Sequence, residues 1–76
     1  MLGIKTVVND GKTDIRWINE TETVVKMIAS LAITAAVKSL SRFEDFETIE
    51  DSDRKFVMKG KTTGYEFSVE IVEVGA

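Results

Sequence analysis

Residues 20–40 read as one long helix whose apolar surface is wider than a single packing partner requires. Asn19 stands where a side chain can accept the unpaired amide hydrogens of a first turn. Glu22 follows three positions later, in the spacing of a capping box. Glu20 and Glu22 also set negative charge at the positive end of the helix dipole. At 100° per residue, Val24, Val25, Ile28, Leu31, Ala32 and Ala35 gather into a stripe about 120° wide. Ala29, Ile33, Ala36, Val37 and Leu40 form a second stripe beside it, leaving a narrow polar side of Lys26, Ser30, Thr34 and Lys38. A helix lying on one sheet needs a stripe only a little over ~100° wide. Each aliphatic side chain left in water forgoes about 1.5–3 kcal/mol of burial, and a contiguous apolar patch marks an interface. The first stripe is therefore assigned to the chain's own sheet. The second, Ala29, Ile33, Ala36, Val37 and Leu40, is assigned to self-association, most simply a twofold dimer. A sheet curved enough to cover both stripes is the alternative.

The rest of the chain alternates with strand periodicity. Residues 2–8 and 13–18 flank Asp10-Gly11, a strong turn signal, and read as a hairpin. Its second strand places Ile15 and Trp17 on one face, assigned to the core, with Asp14, Arg16 and Ile18 on the other. Strands are expected over residues 46–50, 54–60 and 65–74, with turns at Asp51-Ser52-Asp53 and at residues 61–64. The alternation of the last strand breaks at Val72 and Val74, which a bulge or a second buried surface would explain. The expected fold is α+β: a single domain over residues 1–76, in the order β-β-α-β-β-β. It has one antiparallel sheet of four to five strands and one long helix packed on one face.

Composition narrows the chemistry. The 76 residues include no Cys, no His and no Pro. One small domain fits that length. Disulfides, thiol nucleophiles, Cys/His zinc sites and His-dependent catalytic triads are excluded, so no catalytic residues, metal or cofactor are assigned. A net charge of -3 implies no bulk attraction to nucleic acid or anionic membrane. The longest uncharged run, residues 27–37, is shorter than the ~20 residues of a membrane span, and the N-terminus carries no signal-peptide pattern. A cytoplasmic protein without membrane contact is expected.

Three side-chain groups invite functional readings. Glu44, Asp45, Glu47, Glu50, Asp51 and Asp53 make an acidic segment that suits hard cations. Its spacing is not that of an EF-hand, and a solvated edge that resists sheet pairing is the plainer reading. The segment is also the most distinctive surface for a partner protein. Trp17 and Tyr65, with Lys12, Arg16, Lys59 and Lys61, have the residue types of a single-stranded nucleic-acid platform, or of a small-ligand pocket at a subunit interface. Lys55, Lys59 and Lys61 form a local basic patch that cross-strand charge pairing would absorb.

The stretch from the helix through residues 43–47 to residues 65–74 resembles dodecins, small flavin-storing oligomers with a helix followed by two long strands. This chain adds an N-terminal hairpin and has its one Trp before the helix, whereas the flavin-stacking Trp of dodecins follows it. No residue or cofactor is carried over. The expected function is a non-enzymatic homodimeric module that binds another protein. A small-ligand binder and a weak single-stranded nucleic-acid binder are the alternatives.

Overall fold

The computed structural model describes residues 1–74. The elements are β1 (Leu2–Val7), β2 (Thr13–Ile18), α1 (Glu22–Leu40), β3 (Phe46–Asp51), β4 (Lys55–Gly60) and β5 (Glu66–Glu73). They form a single five-stranded sheet in the order β2-β1-β5-β4-β3, with every neighbouring pair antiparallel. This is the expected α+β domain with its expected element order. The helix carries the chain from one edge strand to the other and packs chiefly on β1 and β5.

Glycine fixes the hairpin turn. Gly11 takes φ of 85°, a left-handed conformation that side chains oppose. At the helix start, the capping residue is Thr21 rather than Asn19: its hydroxyl accepts from the Val24 amide at 3.4 Å. Both residues are competent caps, and Thr21 sits one position before the first helical residue.

The register divides the sheet into two faces. On the helix side, Ile4 lies beside Ile71, and Val69 lies beside Phe56, while Met58 lies beside Phe67. These large side chains meet Val25 and Ala29 of α1 to form the core. On the open side, cross-strand rows run Val72–Gly3–Trp17 and Lys55–Glu70–Lys5–Ile15. Pairing of β1 with β5 is continuous through Val72, so the broken alternation there is no bulge. Val72 instead shares a row with Trp17, on the second surface. The bulge lies in β3, between Thr48 and Glu50.

The structure reverses two assignments. Trp17 and Ile15 belong to the open face and are 44% and 42% exposed, so neither is core. The strand alternates as expected, but the face of the sheet that carries the helix is the one with Asp14 and Arg16, in register with Thr6 and Ile4. The helix is also rotated relative to expectation: Ala29 is buried, and Ile33, Ala36 and Leu40 pack against the core. The stripe expected to join two copies therefore covers the chain's own sheet, except for Val37, which is exposed. Ile28 and Leu31, expected on the sheet, face away from it, and Leu31 is 71% exposed. Charge at the margin of the buried face accounts for the orientation: Glu22 and Lys26 reach Arg54 and Asp53 on the sheet side, whereas alanines stand on both stripes and do not choose between them.

Candidate functional site

Two surfaces and one cleft have the geometry to act on something else. The first is the outward face of α1. Val24, Ile28, Leu31 and Ala35 follow one another at steps of four, three and four, which is the seam spacing of paired helices. Met27 flanks the seam and is largely exposed, as is Leu31. By length and composition alone this helix is long and apolar enough to cross a membrane. In the fold it lies along the sheet, and its first two turns are fastened by charge.

That fastening is a five-residue network. Lys26 Nζ donates to Asp53 Oδ1 at 2.8 Å and stands 3.5 Å from Glu22 Oε2. Arg54 pairs with the same Glu22 oxygen at 2.8 Å and reaches Glu73 at 3.5 Å. The network ties α1 to the β3–β4 turn and to the end of β5. The hydrogen bond from Lys26 holds the Asp53 carboxyl below its ordinary pKa, and Asp53 in turn raises Lys26. Glu22 raises Arg54 through its hydrogen bond.

The cleft, about 180 Å³, opens beside this network where α1 leaves the β3–β4 side of the sheet uncovered. Ala29, Ile33, Phe56, Val69 and Ile71 give it an apolar floor, and Lys26, Asp53 and Arg54 stand at its rim.

The second surface is the edge strand β2. Five of its six residues are exposed, and among the described residues its outer edge meets no strand. Trp17 lies against Gly3: a methyl group at Gly3 would come within 2.6 Å of the indole ring. Gly3 thus provides the flat seat on which the aromatic rests. Strand periodicity assigns Gly3 no role, though a Gly inside a strand pattern is itself a signal of close approach.

The acidic segment is not one uniform surface. Glu44 folds over Gly60 and accepts hydrogen bonds from the amides of Thr62 and Thr63 and from the Thr63 hydroxyl. The hydroxyl is the largest cause of its lowered pKa. Asp53 is bound to Lys26, and Glu50 accepts from Ser52. Asp45, Glu47 and Asp51 are exposed along the other edge strand, β3. Among the described residues, no three carboxylates converge as a metal site.

Trp17 and Tyr65 are not brought together. Tyr65 packs edge-on against Phe46, with ring centroids 6.3 Å apart. Trp17 shares a row with Val72, seven residues further along, or roughly 23 Å at strand rise. The same separation leaves the expected nucleic-acid platform unassembled. A small pocket beside Tyr65 is lined by Val8, Asn9 and Asp10 and lacks Trp17. Comparison with protein-family models, curated proteins and solved structures found no match for this chain.

Proposed function

We propose that the protein is a non-enzymatic interaction module that works as a homodimer. Two copies meet through the outward faces of α1 and present their acidic β3 edges to a partner protein. The observation that carries this reading is the exposure of Met27, Ile28 and Leu31 on a helix whose opposite face already fills the core. A lone domain gains nothing from that second apolar face, whereas a paired helix buries it.

Charge supports an antiparallel arrangement. Glu20 and Glu22 precede or open the helix, and Lys38 and Arg42 end or follow it. A twofold axis at Leu31 sets Glu20 of one copy opposite Arg42 of the other, with Met27 opposite Ala35. A parallel pair would set like charges together at both ends. The small Ala35 beside Leu31 allows the seam to close.

Light scattering on the eluting protein tests the pairing. The wild type is expected at twice the chain mass, and Leu31→Glu at the single mass with an unchanged far-ultraviolet spectrum and melting temperature. A wild-type monomer at high concentration overturns the reading. So does co-sedimentation of the wild type with phosphatidylcholine vesicles that Leu31→Glu abolishes, since the face would then serve lipid.

A further inference from the structure

The two edges of the sheet are built differently. The β3 edge carries a bulge and the charges Glu47, Glu50 and Asp51, devices that discourage the addition of another strand. The β2 edge has no bulge and no net charge. Its register with β1 is unbroken over six residues, its Asp14 and Arg16 cancel, and Ile15 and Trp17 of its open face are each partly exposed to solvent. An uninterrupted edge without net charge, with half its backbone groups unpaired, is a template for a further strand.

We propose that β2 is a second self-association site, at which two copies pair β2 against β2, antiparallel, about a twofold axis at Ile15. The sequence of the strand selects this occupant because it complements itself. In the register centred on Ile15, Asp14 faces the second copy's Arg16 on the helix side. On the open side Ile15 meets Ile15, and Trp17 covers Thr13. Moving the axis to Asp14 or to Arg16 sets two like charges directly opposite, which destabilises a strand pair. The Ile15 register joins two five-stranded sheets into one of ten, with both helices on the same side. This contact is independent of helix pairing and uses a different element. Where both operate, helix-paired dimers associate further, into tetramers or longer arrays.

The absence of Cys from the chain makes a direct test possible. Residues facing each other across an antiparallel pair have Cβ atoms about 4.5–5.5 Å apart, near enough for a disulfide to form with slight adjustment. Ile15→Cys is expected to form a disulfide-linked dimer on mild oxidation, and to do so equally in a Leu31→Glu background where helix pairing is removed. Adding Arg16→Asp is expected to slow cross-linking about tenfold or more, because positions 14 and 16 then set carboxylate against carboxylate across the axis. The double exchange Asp14→Arg with Arg16→Asp is expected to restore it. An Ile15→Cys protein whose thiol stays unlinked overturns the proposal. Cross-linking that ignores the charge exchange, or that Glu47→Cys on the β3 edge matches, overturns it equally, since either marks random collision. Cross-linking lost only in the Leu31→Glu background would assign the contact to the helix alone and overturn the β2 site.

Discussion

The two long faces of α1 carry similar side chains and meet opposite fates. The inward face holds Val25, Ala29, Ile33, Ala36 and Leu40, and the outward face holds Val24, Met27, Ile28, Leu31 and Ala35. Val25 is fully buried, whereas Leu31, six residues on, is 71% exposed. Apolar content alone does not choose between them. What distinguishes the inward face is its charged margin: Glu22 and Lys26 flank it and find Arg54 and Asp53 on the sheet side. Charge therefore helps orient a helix whose apolar surface is wider than one sheet needs. The face left over is the one available for assembly.

The strongest way to break this comparison is to charge the inward face. Val25→Asp buries a carboxylate with no partner among Ile4, Met58 and Ile71. The expected cost exceeds about 4 kcal/mol, comparable with the lower part of the ~4–11 kcal/mol that a domain of this size has in total. The chain should lose its cooperative melting transition. A folded Val25→Asp protein would mean that the helix can turn its other face inward.

Met58→Ala tests the same contact from the sheet. Met58 is only 2% exposed and has its side chain in the core under α1. Truncation should cost about 2–5 kcal/mol by denaturant titration. A loss well under ~1 kcal/mol would show that the core shared by the sheet and the helix is loosely packed around Met58.

The open face of the sheet offers a smaller version of the same contrast. Gly3→Ala drives a methyl group into the Trp17 ring and should cost about 1–3 kcal/mol. Shortening the aromatic in the double variant Gly3→Ala/Trp17→Leu should recover most of that loss. Equal losses in the single and double variants would place the damage in the β1 backbone rather than in the seat beneath Trp17.

Much of this architecture is legible in the residues themselves. The hairpin follows from Asp10-Gly11, the helix from its period, β4 from a short apolar run between turns, and β5 from alternation that holds as far as Ile71. The rotation of the helix was not legible because two apolar stripes compete. The partners that favour one of them, Arg54 for Glu22 and Asp53 for Lys26, reach the helix only once the sheet has assembled. The side of Trp17 is hidden for a related reason: alternation pairs Ile15 with Trp17 but is silent about which side of the sheet the helix covers. Of the acidic residues, Glu44 and Asp53 find their partners, Thr63 and Lys26, 19 and 27 residues away in sequence, and no local pattern announces such bonds.

Placing a charge on the outward face sharpens the comparison because little should happen to the fold. Leu31→Glu is expected to change the unfolding free energy of the separated chain by no more than about 0.5 kcal/mol while abolishing the helix-paired dimer. Ile33→Glu, two positions on but seated against the core, should instead unfold the chain. The pair of variants separates assembly from folding on one helix. If the two behaved alike, the inward and outward faces would not be distinct.

The smallest effect concerns the charges that set the helix's rotation. Asp53 has its pKa lowered by the hydrogen bond from Lys26, and Glu44 has its pKa lowered by the Thr63 hydroxyl and the neighbouring amides. A carboxyl whose pKa falls on folding contributes stability that is complete above its unfolded-state value. That contribution is lost as pH drops through the lowered value. Lys26 and Arg54 are raised by the carboxylates they pair with, so raising the pH through neutrality leaves the pairs in place and only strong alkali discharges the cations. Stability should thus be flat near neutrality and decline below about pH 4, the ordinary carboxylate range. Asp53→Asn should make that acid decline shallower while leaving neutral melting almost unchanged, because all four groups are solvent-screened. High salt should mimic the substitution in part. An acid limb identical in Asp53→Asn and wild type would mean that the Lys26–Asp53 bond does not help hold the helix, leaving Glu22 and Arg54 as the charge contact between helix and sheet.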